Sequence, residues 1–211
     1  MIVFLHGAFG NKCDWDQVIR ELSIPCVAFN LPGHGKAPID FDLYGEMNQL
    51  PPFHLVGYSM GGRIAREYPG KTLSLTLIST HPGLKTEAEK QARMISDEQL
   101  AKDILSMPID AFLKRWYDQP LFESLRAKLD ICQMRKDQNQ EGLAAAIRRY
   151  SLGAYPVTEK KAHIILGEQD KKYRDLYASV PHAVVPNAGH AIHLENPVQL
   201  AKEIYDHVLS V

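Results

Sequence analysis

Residues 53–62 read Phe-His-Leu-Val-Gly-Tyr-Ser-Met-Gly-Gly, and this segment is the strongest indication of the fold. It opens with apolar residues and continues into the pattern Gly-x-Ser-x-Gly, in which Gly57 and Gly61 flank Ser59. Small residues on both sides of a serine permit a strained turn between a strand and a helix, and this turn holds the hydroxyl above the sheet. Glycine and serine also form ordinary turns, so the pattern alone is weak. Its position after a strand makes Ser59 a candidate catalytic residue.

Short apolar runs like this one recur along the chain. Their length and near-continuous hydrophobicity are typical of parallel strands covered on both faces, and stretches of helical period lie between several of them. This alternation predicts an α/β fold with a mostly parallel sheet. The predicted strands span residues 2–5, 26–29, 53–56, 73–78, 163–166 and 183–185.

Residues 84–156 interrupt this alternation. They have helical composition, with an aromatic piece at residues 112–117, and contain no convincing strand. We predict that they form a helical lid subdomain, inserted into a core made of residues 1–83 and 157–211. The length of 211 residues suits one domain with such an insertion.

The last predicted helix has the clearest start signal. Asn196 can cap it, Pro197 suits its first position, and a glutamine follows at the third. We expect Val198, Ile204 and Val208 to lie toward one side.

A candidate acid follows the fifth predicted strand. Residues 163–170 read His-Ile-Ile-Leu-Gly-Glu-Gln-Asp, which places Asp170 at the carboxyl edge of the sheet. Open α/β folds build their sites at this edge. Glu168 and Asp175 are rivals for the same role, and the alternative for Asp170 is a solvated loop acid.

A candidate proton acceptor lies between the last predicted strand and the last helix, where residues 187–190 read Asn-Ala-Gly-His. An imidazole at His190 could take the serine proton while the aspartate fixes its tautomer and stabilises its charged form. His182 and His193 compete for this role. Gly189 favours His190 because it permits a sharp loop.

Backbone amides near the first strand complete the predicted site. The segment His-Gly-Ala at residues 6–8 follows that strand. The N–H groups of Ala8 and Met60 are candidates for an oxyanion hole, a pair of donors that stabilises developing negative charge. Residues 31–35, Leu-Pro-Gly-His-Gly, predict a tight turn after the second strand.

Composition narrows the classes of partner and compartment. A formal net charge of -1 gives no basic field for nucleic acid or an anionic membrane. No run approaches the roughly 20 apolar residues that cross a bilayer, and the N-terminus lacks the features of a secretory leader. Three scattered cysteines, at positions 13, 26 and 132, suit a reduced compartment. We expect a cytoplasmic protein that binds neither nucleic acid nor membrane, while the oligomeric state stays open.

Metal dependence is not expected. The chain has nine histidines, yet no helix carries the H-x-x-x-H pairing with an acid ligand that is typical of zinc enzymes.

Together these segments resemble the α/β-hydrolase superfamily over essentially the whole chain. Within it the sequence is most similar to the family of 2-succinyl-6-hydroxy-2,4-cyclohexadiene-1-carboxylate synthases of menaquinone biosynthesis. The segment around Ser59 and the segment around His190 occur in many relatives and indicate only the superfamily, whereas residues 81–84 and 116–122 are more specific. The resemblance rests on residues 57–63 (GYSMGGR), 81–84 (HPGL), 116–122 (WYDQPLF), 151–153 (SLG) and 189–197 (GHAIHLENP).

The resemblance implies a lyase with the fold of an esterase. Such an enzyme eliminates pyruvate from 2-succinyl-5-enolpyruvyl-6-hydroxy-3-cyclohexene-1-carboxylate without a metal or an organic cofactor. It also implies that Ser59 acts as a base, helped by His190 and Asp170, and forms no acyl-enzyme. The oxyanion hole would stabilise the charge that develops as the proton leaves.

The implied substrate carries three carboxylates, so a near-neutral protein must hold this small polycarboxylate with local cations. Arg63, one turn past the serine, is expected to point toward the pocket. By similarity of the surrounding segments, Arg93 and Arg135 are further candidates, and Tyr58 and Trp116 would line the site. The alternatives are exposed helix charges for the arginines and lid core for Trp116.

The sequence departs from the superfamily in its compactness. It begins at the strand before residue 6, so we expect the one or two strands that usually lead this fold to be absent. Residues 38–52 and 64–71 are short, and Pro69-Gly70 is expected to end the helix after Ser59 within a few turns.

Two other functions use the same residues. A carboxylesterase or carbon-carbon bond hydrolase would use Ser59 as a true nucleophile and would need no cluster of lid arginines. A noncatalytic member would use the pocket to bind a small ligand, with a broken triad geometry and negligible turnover.

Overall fold

The computed structural model describes residues 1–126, 129–135, 138–155 and 159–211. Its strands form one sheet in the order β2-β1-β3-β4-β5-β6, and every neighbouring pair is parallel. The predicted α/β fold with a mostly parallel sheet is therefore confirmed. The strands are β1 (Ile2–Leu5), β2 (Cys26–Phe29), β3 (His54–Tyr58), β4 (Leu75–Ile78), β5 (His163–Gly167) and β6 (Ala183–Val185).

Helices connect these strands and cover both faces of the sheet. None of the helices in the described ranges has the length and apolar character needed to cross a membrane. Short 3-10 helices lie at Lys12–Trp15 and Pro120–Phe122. The α-helices are α1 (Asp16–Arg20), α2 (Leu43–Asn48), α3 (Met60–Glu67), α4 (Glu87–Ser106), α5 (Ile109–Tyr117), α6 (Glu123–Arg126), α7 (Ile131–Arg135), α8 (Gln140–Arg149), α9 (Lys171–Leu176), α10 (Ile192–Glu195) and α11 (Pro197–Leu209).

Alternate residues of a strand belong to opposite faces of the sheet, and both faces are buried. In β1, Ile2 and Phe4 pack on one face, while Val3 and Leu5 pack on the other. Apolar residues of α1 and α11 cover the first face, and those of α2 and α3 cover the second. Burial on both sides explains why the strands read as continuous apolar runs.

Four strand boundaries differ from the prediction, since β3 begins at His54 and ends at Tyr58, β4 begins at Leu75, and β5 ends at Gly167. β3 continues to Tyr58, past the predicted end at Val56, because the strand leads directly into the turn at Ser59. β4 begins at Leu75, and the predicted start at Leu73 is wrong. Leu73 is 54% exposed, so its hydrophobicity marks a surface residue before the strand.

The segment from β4 to β5 holds α4 to α8, and its described elements are all helical. α4 packs along α8, and the predicted aromatic piece forms much of α5. The boundary predicted at residues 156 and 157 lies outside the described residues. The division into a core and a lid stays a prediction.

The helices that flank the site begin and end where the sequence predicts. Asn196 caps α11 by accepting a hydrogen bond from the backbone of Gln199. The expected side of α11 is wrong for Val198, which is 59% exposed, and right for Ile204 and Val208, which are buried. α3 ends two residues before Pro69, as predicted, because a residue before proline favours extended backbone.

The strand order creates a switch point at the carboxyl edge of the sheet. The chain runs outward from β1 to β2 and then returns to place β3 on the other side of β1. Ligands bind at such a point in open α/β sheets. The loops that follow β1, β3, β5 and β6 meet at this edge, and they carry Ala8, Ser59, Asp170 and His190.

Candidate active site

Ser59 occupies a strained turn between β3 and α3. Its backbone has φ of 50° and ψ of -111°, a left-handed conformation that a residue with a side chain rarely adopts. A Cβ at Gly57 would lie 2.6 Å from the carbonyl oxygen of Gly61, and a Cβ at Gly61 would collide with the backbone of His6. The two flanking glycines are therefore required by close packing, and the turn presents the Ser59 side chain at the edge of the sheet.

His190 connects Ser59 to Asp170. Its Nδ1 lies 2.8 Å from Oδ2 of Asp170, and its Nε2 lies 3.3 Å from Oγ of Ser59. The histidine and the aspartate are buried, whereas the serine is half-buried. Asp170 also caps α9, since its Oδ1 accepts a hydrogen bond from the backbone N–H of Tyr173. The carboxylate is thus fixed on one side by a helix and on the other by the imidazole.

The structure favours Asp170 and His190 over the other acids and histidines considered for their roles. Glu168 is exposed and accepts a hydrogen bond from the backbone of Asn187, and Asp175 is exposed on α9. His182 turns its Nδ1 toward the carbonyl of Val180. His193 is buried beside the same cavity but makes no hydrogen bond to a described residue.

A glutamate that the sequence reasoning missed holds the loop around His190. The two carboxylate oxygens of Glu195 accept hydrogen bonds from the backbone N–H groups of Gly189, at 2.9 Å, and of Ala191, at 3.0 Å. These bonds fix the backbone on both sides of the histidine. Glu195 belongs to residues 189–197, one of the segments on which the family resemblance rests. That membership was the signal in the sequence that could have identified it.

Aromatic rings enclose the imidazole of His190. The ring of Tyr173 lies 4.6 Å away between centroids, that of Tyr58 5.4 Å, and that of Phe122 5.8 Å. Such walls limit rotation of the imidazole and exclude water from it. Phe122 comes from the segment between β4 and β5, so that segment contributes directly to the site.

The predicted donors Ala8 and Met60 both line the cavity beside Ser59. Met60 is the first residue of α3, so its N–H has no acceptor within the helix and is available to a ligand. The buried ring of His6 anchors the loop before Ala8. Its Nδ1–H donates to the carbonyl of Gly7, and its Nε2 accepts from the N–H of Leu31. Burial holds the pKa of His6 well below its usual value, which keeps Nε2 an acceptor.

A cavity of about 770 Å³ opens over Ser59 and His190, between the sheet edge and the helices α4 and α5. This volume suits a small organic ligand, since such sites range over about 300–1,000 Å³. The structure brings all five predicted substrate-binding residues to its wall, namely Tyr58, Arg63, Arg93, Trp116 and Arg135.

Arg63 is a buried cation in this wall. Its guanidinium donates a hydrogen bond to the carbonyl of Tyr150 at 2.9 Å, and its Nε has no partner among the described residues. Burial, and then repulsion from Arg93, lower the pKa of Arg63 to about 10. The group is therefore charged at neutral pH, and an anion in the cavity would relieve its cost of burial.

The other two arginines already have acidic partners. Nε of Arg93 lies 2.8 Å from Oδ1 of Asp97, within α4. Arg135 is buried and pairs with Asp14, a residue that sequence reasoning missed. Burial alone would lower the pKa of Arg135, but the Asp14 carboxylate and the Tyr117 hydroxyl together more than offset this and raise it. The positive charge of Arg135 is therefore balanced by the Asp14 carboxylate, whereas the positive charge of Arg63 is compensated less.

Trp116 occupies a position that fits both of the roles considered for it. Its ring packs on Phe9, with centroids 4.8 Å apart, and lies 6.1 Å from Phe122, while it also faces the cavity. It joins the aromatic side chains of the inserted helices to the wall of the site.

This arrangement can move a proton. A neutral imidazole that is hydrogen-bonded to a carboxylate can accept the proton of the adjacent hydroxyl, and N–H donors nearby can stabilise an oxyanion. Within the described ranges, no group of three or more His, Cys, Asp or Glu side chains is placed to hold a metal ion.

Comparisons with known proteins place the chain in a family. A model of the alpha/beta hydrolase family matches residues 2–203. The 2-succinyl-6-hydroxy-2,4-cyclohexadiene-1-carboxylate synthase of an Enterobacter species is 33% identical, over 95% of this chain and 88% of that protein. The synthase of the same name from Citrobacter koseri is 34% identical, over 93% of this chain and 88% of that protein.

Solved structures agree with this placement. MenH from S. aureus has a TM-score of 0.87 at 26% identity, over 99% of this chain and 93% of that one. A thermophilic esterase from Thermogutta terrifontis shares the fold, with a TM-score of 0.79 at 18% identity, over 99% of this chain and 89% of that one. The chain therefore belongs to the alpha/beta hydrolase family and, within it, to the family of the 2-succinyl-6-hydroxy-2,4-cyclohexadiene-1-carboxylate synthases.

Proposed function

We propose that this protein is a lyase of menaquinone biosynthesis. It eliminates pyruvate from 2-succinyl-5-enolpyruvyl-6-hydroxy-3-cyclohexene-1-carboxylate and yields 2-succinyl-6-hydroxy-2,4-cyclohexadiene-1-carboxylate. The observation that carries the proposal is a Ser59-His190-Asp170 chain that opens into a cavity walled by the buried cation Arg63. Relatives at 33% and 34% identity bear the name of the enzyme that forms this product.

In the proposed reaction Ser59 acts as the base. His190 takes the hydroxyl proton through Nε2, and Oγ takes the proton from the ring carbon that bears the succinyl group. The electrons of that C–H bond form a new ring double bond, the existing double bond shifts, and the C–O bond to the enolpyruvyl group breaks. His190 then returns its proton to the leaving enolpyruvate, which becomes pyruvate. The protein finishes with both groups in their starting states.

Negative charge develops on the succinyl carbonyl oxygen when the neighbouring C–H proton leaves. The N–H groups of Ala8 and Met60 would stabilise this oxyanion, and removal of one such donor typically costs about 10²–10³-fold in kcat. Asp170 would stabilise the imidazolium that forms at His190.

The three carboxylates of the substrate account for the cations of the cavity. An anionic partner would stabilise Arg63 most, because burial and the positive charge of Arg93 both disfavour its charged form. Arg135, paired with Asp14, is the weakest candidate for a carboxylate contact. Tyr58 and Trp116 would pack against the ring and the acyl chain of the substrate.

We further propose that the reaction takes place in the cytoplasm and needs no cofactor. The step moves one proton and releases one leaving group, which the side chains of the site can do by themselves. Cys13, Cys26 and Cys132 are free thiols, which suits a reducing compartment.

The test is a turnover assay of the purified protein on the enolpyruvyl substrate, which follows the release of pyruvate. We expect rapid release by the unchanged protein and a loss of about 10³-fold or more in Ser59→Ala, by analogy with the removal of a triad serine. A p-nitrophenyl ester is assayed in parallel. Ester hydrolysis without pyruvate release would replace the proposal by a serine hydrolase, and tight ligand binding without either activity would indicate a binding protein.

A further inference from the structure

The turn that carries the candidate oxyanion donor Ala8 is strained. The N–H of Gly10 donates to the carbonyl of Gly7 at 3.1 Å and closes a four-residue turn with Ala8 and Phe9 in the middle. Phe9 has φ of 60°, the left-handed conformation that a glycine usually supplies at the third position of such a turn. A large side chain is unfavourable in this conformation, which persists only when the surroundings hold it.

The turn leaves one backbone donor free. No described residue accepts a hydrogen bond from the N–H of Ala8, and Ala8 lines the cavity beside Ser59. The carbonyl of Gly7, by contrast, accepts from the N–H of Gly10 and from the ring of His6. The conformation of the turn therefore decides whether the Ala8 donor is available to a ligand oxygen.

Gln138, from the segment between α7 and α8, braces this turn. Its Nε2 donates to the carbonyl of Gly10 at 2.9 Å and to that of Phe9 at 3.2 Å. Its Oε1 accepts at 2.8 Å from the N–H of Gly35, in the loop after β2. One side-chain amide thus uses its donor and its acceptor to join three segments that are distant in sequence.

The start of α8 is itself fixed against the loop after β2. Gly33 and Gly142 are packed so closely that a Cβ at Gly33 would collide with the carbonyl oxygen of Gly142. The side chain of Asn139 caps α8 by accepting from the N–H of Gly142 at 3.0 Å. Gln138 directly precedes this cap, so a well-anchored helix start presents its amide to the turn.

We propose that Gln138 is a positioning residue for the oxyanion hole. Its amide keeps the turn at residues 7–10 in the conformation that leaves the Ala8 N–H free as a donor. This rests on the proposed function, in which that N–H stabilises the charge on the succinyl carbonyl oxygen. Gln138 is not among the residues that line the cavity, so it acts through the turn and not on the substrate.

The experiment compares pyruvate release by Gln138→Met and by Gln140→Met. Gln140 is the matched control because it is also half-buried and its amide also donates to two backbone carbonyls, those of Ile104 and Met107, away from the cavity. Methionine keeps the length of the side chain and removes its hydrogen bonds. We expect kcat of Gln138→Met to fall about tenfold or more, toward the roughly 10²–10³-fold cost of losing an oxyanion donor, with KM within about threefold. Gln140→Met should keep its kcat.

A spectroscopic readout separates lost positioning from lost stability. 2-Succinylbenzoate, an aromatic analogue of the product, is labelled with ¹³C at its ketone, because hydrogen bonds to a carbonyl oxygen move the carbon signal downfield. We expect a downfield shift on binding to the unchanged protein and to Gln140→Met, and a smaller shift with Gln138→Met. Gln138→Glu is a second variant that keeps the acceptor for Gly35 but sets a carboxylate against two carbonyls. It should lose at least as much of kcat and of the shift.

The role of Gln138 is refuted if Gln138→Met keeps kcat within about threefold, if Gln140→Met loses as much activity, or if the bound ketone gives the same signal with and without the Gln138 amide. Absence of pyruvate release by the unchanged protein would refute the proposed function, and the ketone signal alone would then decide the role of Gln138.

Discussion

Removal of the Glu195 carboxylate should disable catalysis without touching the cavity. In Glu195→Ala, the backbone N–H groups of Gly189 and Ala191 lose their acceptors at 2.9 and 3.0 Å, so the loop that carries His190 is released on both sides. Each hydrogen bond to a charged group contributes about 1.5–3 kcal/mol. Because Glu195 is half-buried, we expect the lower end for both bonds, a total loss of about 3 kcal/mol in the free energy of unfolding.

The effect on the rate follows from the position of His190. Its Nε2 already lies 3.3 Å from Oγ of Ser59, so a further displacement breaks the contact. A misplacement of about 1 Å costs on the order of 10² in rate, and we expect kcat for pyruvate release to fall by that factor. KM should change little, because Glu195 is not among the residues that line the cavity.

Glu203→Ala is the matched control for this variant. Glu203 is also half-buried on a nearby helix and accepts from His163 at 3.0 Å, outside the cavity. It should lose some stability, measured by urea unfolding, and keep its kcat. If Glu195→Ala retains kcat within about threefold, or if Glu203→Ala loses as much activity, the reasoning about the loop is refuted.

Three more outcomes follow from the structure. Arg63→Met should raise KM about tenfold or more for the enolpyruvyl substrate, and an unchanged KM would refute its role in carboxylate binding. Gly57→Ala should destabilise the fold by about 1–3 kcal/mol in urea unfolding, because its Cβ would lie 2.6 Å from the carbonyl oxygen of Gly61. The free energy of unfolding should be level above pH 6.5 and fall as pH decreases toward about 4, since burial lowers the pKa of His34 and of His81 from 6.5 to about 4. Stability falls on acidification because these histidines take up protons at a higher pH in the unfolded chain than in the folded protein. A free energy of unfolding that rises as pH decreases would contradict this prediction.

Local patterns in the sequence were sufficient to predict that the three candidate catalytic residues follow strands of the sheet. Ser59, Asp170 and His190 each follow an apolar run, and parallel strands bring such positions to one edge of a sheet. The start of α11 at Asn196 and the end of α3 before Pro69 were equally predictable, because a helix cap and a proline affect only the few residues around them.

Contacts between distant parts of the chain could not be predicted in this way. Asp14 lies in the first turn of a 3-10 helix, and only the fold shows that it pairs with Arg135 in the wall of the cavity. Leu73 and Val198 look like core residues, yet tertiary packing leaves both exposed. The unsatisfied nitrogens of His193 are likewise a property of its surroundings, and no spacing in the sequence signals them.

Whether Ser59 is a base or a nucleophile is tested most directly by intact-protein mass spectrometry of the reaction, quenched during steady-state turnover and paired with a measurement of pyruvate. If Ser59 is the base, pyruvate is released while the mass of the protein stays unchanged. A covalent adduct on Ser59 that forms and decays at the rate of pyruvate release would contradict it.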